Sequence, residues 1–305
     1  MRRWRVPPQL HGQRLDRVLA ALLPEFSRTW LAQLAAQGAV QLDGQPATRA
    51  ARRVGAGAEL SIELRPTPAS RAFVPQPMPL EVVHEDAHVL VLNKPAGLVV
   101  HPAPGHWGGT LLNGLLAHDA HAFDLPRAGI VHRLDKDTSG LLVVARSRQA
   151  QERLAAAIAA HEVRREYLAL AHRPWEGGAQ EVDAPIGRDP RTRLRMCVTP
   201  AGRSAHTRFE PLASDARGCL LRCLLGTGRT HQIRVHLAHL GHPIVADALY
   251  GGAPAAGMER QALHARRLAF THPTSGESLH FQAPLPADFA AALTAWGWRE
   301  AALPV

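Results

Sequence analysis

Lysine, tyrosine and cysteine are all scarce in this 305-residue chain, and each scarcity limits what the protein can be. The three cysteines, Cys197, Cys219 and Cys223, are odd in number and lack Cys-x-x-Cys spacing. This argues against a disulfide framework and against a zinc site, and it fits a reducing cytoplasm. No apolar run approaches the length of a membrane span, and the charged N-terminus has no apolar signal core. We therefore expect a cytoplasmic location and no membrane association.

Positive charge, in contrast, is abundant and unevenly distributed. The formal net charge is +9, and residues 1–65 alone hold ten arginines against five acidic residues. Such an asymmetry is typical of proteins that bind a polyanion, most often nucleic acid, although a merely soluble basic surface would look the same. Lys94 and Lys136 are the only lysines among 35 basic residues. They are predicted to mark positions where a compact ammonium group is needed and the broader guanidinium of arginine would not serve.

Periodic stretches and prolines divide the chain into three segments. Residues 1–65 show two helical patterns, the second starting after the N-cap Ser27, and then a hairpin that turns at Asp43 and Gly44. Residues 66–79 contain five prolines and little periodicity, which predicts a semi-stiff linker. Residues 80–305 alternate between strand and helix patterns and predict the larger domain.

The most informative stretch is residues 129–140, in which two apolar β-type runs flank a polar loop. A strand–loop–strand of this kind holds polar side chains at the end of a sheet. A tight turn capped by residues 137–139 is the simplest interpretation. A calcium loop is excluded, because its twelfth position would be Arg146 instead of a bidentate Glu. The third interpretation is a catalytic carboxylate, Asp135, held close to arginines.

A family resemblance favours the third interpretation. The sequence His-Arg-Leu-Asp-Lys-Asp-Thr-Ser-Gly at 132–140 resembles the signature loop of the RluA-type pseudouridine synthases. Residues 1–65 resemble the small RNA-binding domain first named for small-ribosomal-subunit protein four. The combination of this N-terminal module with Pro126-Arg127-Ala128 before the loop makes the chain most similar to the RluD branch of the family. That branch acts on large-subunit (23S) ribosomal RNA. The other blocks that carry the similarity lie at 93–102, 164–170, 226–240 and 247–251.

The resemblance implies an α+β fold, with a mixed, largely antiparallel catalytic domain and a small N-terminal helix–helix–hairpin RNA-binding domain. It implies that Asp135 is the catalytic carboxylate, that Tyr167 stacks on the target uracil and that Arg234 lies beside the carboxylate. Arg133 would occupy the gap that a flipped base leaves in the RNA. The other residues expected to contact substrate or RNA are His132, Lys136, Arg28, Arg52 and Arg53.

The reaction that the resemblance implies is the isomerisation of uridine to pseudouridine, which needs no metal, nucleotide or redox cofactor. The sequence leaves open whether the carboxylate attacks the sugar or abstracts a proton to give a glycal. The chain departs from the family pattern at Ala246 and Ala248, where Gly and Pro are usual, and we expect this to affect a turn and not the chemistry. The expected partner is large-subunit ribosomal RNA, with the assembling large subunit as a further candidate, and the expected state is a monomer.

Three alternatives stay open on the sequence. One is a pseudouridine synthase for tRNA or for other ribosomal sites, and another is a non-catalytic ribosome-assembly factor that binds RNA. Intact Asp135 and Arg234 argue against the second, because a retired site would be expected to lose one of its residues. The last is a metal-dependent hydrolase that uses the abundant histidines. A half-exposed helix face explains the spacing of the strongest candidates better, since no acidic residue accompanies His236, His239 and His242.

Overall fold

The computed structural model describes residues 1–65, 72–192 and 194–298. The chain divides into two compact units, Met1–Ala72 and Phe73–Val305. The division falls inside the proline-rich segment 66–79, of which residues 66–71 lie outside the described residues. The boundaries of that linker stay a prediction.

The first unit packs two helices against a sheet with the strand order β1-β4-β2-β3. The second helix begins where the sequence predicts, because the Ser27 hydroxyl accepts a hydrogen bond from the Trp30 amide at 3.2 Å. Leucines at helical spacing, such as Leu15, Leu19, Leu31 and Leu34, are fully buried and form the core. The elements are β1 (Arg2–Arg5), α1 (Leu15–Leu22), α2 (Arg28–Ala36), β2 (Val40–Leu42), β3 (Gln45–Pro46) and β4 (Glu59–Ile62).

The second unit alternates strands and helices along the chain, as the sequence predicts. Its helices are α3 (Leu111–His118), α4 (Arg148–Ala159), α5 (Gln232–His239) and α6 (Ala287–Ala295). Its strands are β5 (Val82–Glu85), β6 (Val89–Lys94), β7 (Ser139–Ala145), β8 (Arg164–His172), β9 (Gln180–Asp183), β10 (Ile186–Arg188), β11 (Met196–Val198), β12 (His206–Asp215), β13 (Gly218–Leu225), β14 (Leu263–Thr271) and β15 (Ser278–Gln282).

The described residues form one large sheet in this unit, with the order β5-β6-β7-β14-β8-β13-β12-β9 and β15 paired to β14. Neighbouring strands run antiparallel except for β7 and β14, which are parallel. The predicted mixed, largely antiparallel sheet is therefore confirmed. No helix in the described ranges is long and apolar enough to cross a membrane.

Strand β7 lies inside this sheet, between β6 and β14, and is buried along its whole length. Because successive side chains of a strand point to opposite faces, β7 contributes to two cores. Leu142 and Val144 pack into one core, and Leu141 and Val143 pack into the other. The strand is thereby fixed on both faces, which makes its N-terminal end a rigid place for the loop that precedes it.

The prediction of a strand on both sides of that loop is wrong on the N-terminal side. A short 3-10 helix, Pro126–Gly129, comes first, and only an isolated bridge joins Ile130 to Val144. The physical reason is local, since Arg127, Ala128 and Gly129 all have positive φ angles, of 55°, 53° and 78°. A chain that turns so sharply cannot extend into a strand before the polar residues begin.

Candidate active site

Asp135 lies in the loop immediately before β7 and lines a cavity of about 490 Å³. The loop is closed by a backbone turn, in which the Thr138 amide donates to the Asp135 carbonyl at 3.2 Å. The side chain of Asp135 is 16% exposed, and it is the one carboxylate among the residues that line the cavity in the described chain. The cavity thus presents a single, accessible carboxylate.

Arg234 holds that carboxylate from the first turn of α5. Its Nη1 donates to Asp135 Oδ2 at 3.0 Å, while its Nε and Nη2 donate to the two oxygens of Asp247 at 2.7 and 2.8 Å. Burial would lower the pKa of Arg234, but the hydrogen bonds from Arg234 to Asp247 and the charge of Asp135 raise it overall. The guanidinium of Arg234 therefore stays positively charged. Asp247 holds two of its nitrogens, and the third nitrogen, Nη1, donates to Asp135.

The position of α5 is set by Gln232, at the start of the helix. Its Oε1 accepts from the Thr227 hydroxyl at 2.6 Å and from the Arg229 amide at 2.9 Å. Its Nε2 donates to the His206 carbonyl at 2.8 Å, on β12. These contacts tie the helix and the loop before it to the sheet, so that Arg234 faces Asp135.

His231 approaches the same carboxylate from the other side. It has a left-handed φ of 58° just before α5, and its Nε2 lies 3.9 Å from Asp135 Oδ1. The Tyr250 oxygen lies 2.7 Å from His231 Nδ1 and accepts from the Met196 amide at 3.0 Å. The contact with Tyr250 fixes the orientation of the ring, so that Nε2 faces Asp135. Burial lowers the pKa of His231, against the opposing charge of Asp135, so the ring is neutral.

Tyr167 lies on β8 and lines the cavity with Asp135. The residue is 6% exposed. Burial raises the pKa of its phenol to about 12, and the charge of Asp135 acts in the same direction. The side chain therefore stays protonated at physiological pH and offers a flat apolar face with a polar edge, not a base.

The neighbours of Asp135 in the loop have different roles. Arg133 is exposed and lines the cavity, as its predicted role requires. His132 also lines the cavity, but its Nε2 accepts from the Val143 amide at 3.1 Å, and burial, assisted by Arg165, lowers its pKa to about 3. It is a neutral ring that fastens the loop to β7.

Lys94 is a contributor to the loop that the sequence singled out without assigning a role. It is 1% exposed, and its Nζ donates to the carbonyls of Pro95 at 2.7 Å, Leu98 at 3.0 Å and Lys136 at 3.0 Å. Burial lowers its pKa to about 8, against the opposing charges of Asp137 and Asp135. A compact ammonium fits this carbonyl cage, as predicted. Lys136, in contrast, is exposed outside the cavity and contributes its backbone carbonyl.

The three arginines predicted to bind RNA from the first unit differ in how far they are engaged. Arg28 forms an ion pair with Asp16 at 2.9 Å and is half exposed, and Arg53 donates to the Gly12 carbonyl at 2.8 Å. Arg52 is exposed, and its side chain has no ion-pair partner in the described ranges. All three keep surface that RNA can reach.

Two of the three histidines considered as metal ligands contact protein groups through their ring nitrogens. His236 is fully buried, with Nδ1 against the Thr207 hydroxyl at 2.9 Å and Nε2 against the Ala184 carbonyl at 3.0 Å. His242 contacts the carbonyl of His172 at 3.1 Å through Nδ1. Among residues 1–65, 72–192 and 194–298, no group of three or more His, Cys, Asp or Glu side chains is arranged to hold a metal ion.

The sequence indicates Asp135, Tyr167 and Arg234 as site residues, and the structure brings all three to one cavity. It missed Asp247 as the anchor of Arg234, although the block that contains this residue matches the family. It also missed the pair His231 and Tyr250. The matching blocks at 226–240 and 247–251 were the available signal, but only the fold shows that they meet.

Comparisons with known proteins agree with this geometry. Residues 88–239 match the family model for RNA pseudouridylate synthase, and residues 13–60 match the S4 domain. The chain is 47% identical over 297 residues to ribosomal large subunit pseudouridine synthase D of Neisseria meningitidis serogroup B, covering 93% of this chain and 78% of that protein. It is also 47% identical over 297 residues to the protein of that name from Xanthomonas campestris pv. campestris, covering 93% of this chain and 88% of the relative.

A solved structure shows the same relationship. Human RNA pseudouridylate synthase domain containing 1 superimposes with a TM-score of 0.53 at 28% sequence identity, covering 70% of this chain and 87% of that one. The human protein and the bacterial relatives carry the same activity in their names, and the bacterial ones match nearly the whole chain. The chain therefore belongs to the RNA pseudouridine synthase family, whose members isomerise uridine in RNA to pseudouridine.

Proposed function

We propose that this enzyme converts specific uridines of large-subunit ribosomal RNA to pseudouridine, with Asp135 as the catalytic carboxylate. The observation that carries the proposal is the geometry of Asp135, the one carboxylate lining the cavity in the described chain, held by a buried Arg234 that Asp247 fixes in turn. The substrate class is supported by the printed name of the most similar relatives, ribosomal large subunit pseudouridine synthase D.

The reaction is an isomerisation, and its bonds balance within the nucleotide. The bond between N1 of uracil and C1′ of ribose breaks, the base turns and a bond forms between C5 and C1′. The proton on C5 is released to solvent, and N1 takes up a proton in its place. Asp135 acts either on C1′ directly or as the base that removes a ribose proton, and both courses need an ionised, oriented carboxylate. Arg234 orients the carboxylate from a fixed position, so no rearrangement of the pair is required as the reaction proceeds.

The target uridine must leave the RNA stack to reach this carboxylate, which costs a few kcal/mol. We assign Tyr167 to stack on the flipped base, because its ring lines the cavity beside Asp135. Stacking of a base on an aromatic ring contributes about 1–3 kcal/mol. Arg133, exposed at the same cavity, is assigned to fill the gap in the RNA. Together they offset much of the cost of flipping.

The experiment is tritium release from large-subunit ribosomal RNA labelled at C5 of uridine, with wild type and Asp135→Asn compared in excess chelator. Asp135→Asn keeps the shape of the side chain, so we expect normal RNA binding and a loss of activity of at least a thousandfold. Turnover by the variant would disprove the assignment of Asp135. If wild type releases no tritium from this RNA but does release it from tRNA, the substrate is tRNA and the proposed substrate is wrong.

The first unit is proposed to supply much of the affinity for ribosomal RNA. Its match to the S4 domain and its surplus of arginines support this role. We also propose that the enzyme works in the cytoplasm as a monomer on the assembling large subunit, before the target uridines are covered. A chain that starts at Phe73 should retain the fold of the second unit and bind ribosomal RNA at least tenfold more weakly, as measured by filter binding. Unchanged affinity would contradict the role of the first unit.

A further inference from the structure

Arg165 is a charged residue of the cavity wall that the chemistry at Asp135 does not use. It lies on β8 two residues before Tyr167, so both side chains point to the same face of the strand, and both line the cavity. The residue is only 6% exposed, and its Nε is buried without a hydrogen-bond partner. In the described part of the chain, no carboxylate lies within ion-pair distance of its guanidinium.

A largely buried guanidinium without an anionic partner is costly, because no counter-charge compensates the desolvation of the group. The surrounding loop is nevertheless shaped to accept it. A Cβ atom at Gly228 would come within 2.7 Å of Arg165 Nη1, so the absence of a side chain at this position leaves room for the guanidinium. The strand position buries most of Arg165, and the glycine in the facing loop leaves room for its guanidinium at the cavity wall.

The charge of the cavity as a whole shows what kind of group would compensate Arg165. The charged residues of the described lining are six arginines and one carboxylate, Asp135, which is already paired with Arg234. His132, next to Arg165, is neutral, so it adds no positive charge and offers no negative one. The cavity is thus ready for an anion. The lining arginines are Arg127, Arg133, Arg165, Arg203, Arg229 and Arg234.

We propose that Arg165 is the binding site for a phosphodiester group adjoining the flipped uridine. A phosphate brings the full negative charge that a buried cation needs, whereas a uracil carbonyl is neutral and would leave most of the desolvation uncompensated. The spacing is suitable, because positions two apart on a strand are separated by about 6–7 Å, within the span of one nucleotide. This inference rests on the proposed function only for the identity of the RNA.

The first test separates a ligand-binding arginine from a structural one. Arg165→Met removes the unpaired charge and keeps the length of the side chain, so the free protein should be as stable as wild type or more stable in urea unfolding. The same variant should bind ribosomal RNA about tenfold to a hundredfold more weakly, as expected for the loss of a charge-assisted contact. The slope of log Kd against log salt concentration should fall by about 0.7–0.9, the value of one phosphate contact.

Two control variants complete this test. Arg203→Met removes an exposed arginine from the same cavity, so it should reduce the salt slope without increasing stability. Arg165→Lys keeps a positive charge and should restore part of the salt slope. A strongly destabilised Arg165→Met protein with an unchanged salt slope would overturn the proposal in favour of a structural role.

The second test identifies the phosphate directly. After tritium release has located the modified uridine, a short RNA is made with a neutral methylphosphonate at the linkage on its 5′ or its 3′ side. Wild type should lose at least tenfold in affinity for one of these RNAs, and Arg165→Met should lose nothing further for the same RNA. Equal losses in both proteins at both linkages would show that Arg165 binds no adjoining phosphate. Absence of wild-type turnover on ribosomal RNA would refute the proposed substrate, while the salt slopes would still decide the role of Arg165.

Discussion

The two units of the chain use the same pair of residue types, arginine and aspartate, in opposite arrangements. In the first unit a single buried carboxylate, Asp16, holds two arginines, Arg14 and Arg28, whose side chains are 45% and 50% exposed. In the second unit a single buried arginine, Arg234, holds two carboxylates. Of these, Asp247 is 1% exposed and Asp135 is 16% exposed at the cavity.

The difference shows which partner each unit presents to the outside. Asp16 is the fixed point in the first unit, and the guanidinium groups remain available to a polyanion. Arg234 is the fixed point in the second unit, and a carboxylate remains available to a reacting group. Burial, not the type of ion pair, decides which charge is fixed in the interior and which stays accessible.

The largest expected effect comes from removing the central arginine of the buried arrangement. Arg234→Met leaves Asp247 buried without its cation, which should lower the free energy of unfolding by about 3–5 kcal/mol. Activity should fall at least a thousandfold, because Asp135 loses its orientation. Urea unfolding followed by circular dichroism and tritium release measure the two effects.

Arg28→Met is the matched control in the exposed arrangement. Asp16 keeps Arg14, and the lost contact is largely open to water, so the cost should be about 0–1 kcal/mol. If Arg234→Met and Arg28→Met lower the free energy of unfolding equally, burial does not distinguish the two ion-pair arrangements.

The next largest difference expected between the two units is in how their stability depends on pH. Burial first, and then Arg133 and Arg127, lower the pKa of His101 to about 4, and burial with Arg165 lowers that of His132 to about 3. An unfolded histidine has a pKa of about 6.5, so below that value the unfolded chain binds protons that the folded unit does not. The second unit should therefore be fully stable above about pH 6.5 and lose stability as the pH falls toward about 4.

The first unit contains a single histidine, His11, which is exposed, so its described residues include no buried histidine like those of the second unit. Burial opposes ionisation of Asp16, but hydrogen bonds from Arg14 and Arg28 lower its pKa below 3.8, so its contribution is lost only at more acid pH. Hydrogen exchange measured by mass spectrometry at pH 7, 6 and 5 follows the two units separately. A loss of protection in both at the same pH would contradict this expectation.

The smallest expected effect concerns the backbone beside the buried anchor. Asp16 lies in a regular helix, whereas Asp247 follows Ala246, which has a left-handed φ of 59°. This conformation strains a residue that carries a Cβ, and glycine adopts it freely. Ala246→Gly should therefore stabilise the protein by about 0.5–1 kcal/mol and leave tritium release unchanged.

Ala248→Gly serves as the control for that substitution. Ala248 begins the short 3-10 helix Ala248–Tyr250 and has no positive φ, so glycine should destabilise it slightly through the added freedom of the unfolded chain. Thermal unfolding of both variants decides the matter. Stabilisation by both, or by neither, would show that the strain at Ala246 is not the cause.

The sequence predicts much of the local structure, because helix periodicity and caps lie in short stretches, and it selects residues that the fold places in one cavity. Apolar periodicity and caps such as Ser27 place the helices, and the resemblance assigns Asp135, Tyr167 and Arg234. The strand predicted before the loop fails, since three consecutive positive φ values at residues 127–129 are not visible in an apolar pattern.

Contacts between segments far apart in the chain could not be predicted from the sequence either. The contact of Asp247 with Arg234, and the lack of a carboxylate beside Arg165, can be seen only once the fold shows which residues surround them. The sequence shows that an arginine follows Arg164 on a strand pattern, but burial and the missing partner belong to the assembled sheet.

The parallel pairing of β7 and β14 has a consequence for how the enzyme is made. It joins segments far apart in the chain, with Ser139 and His264 in contact across 125 positions. Asp135 and Arg234, 99 positions apart, also meet only when the two halves of this sheet come together. Contacts of such range form slowly, and the apolar strand β7 must wait for the C-terminal third of the chain to be synthesised. The active centre is thus a late product of folding, and a ribosome-bound, incomplete chain has none.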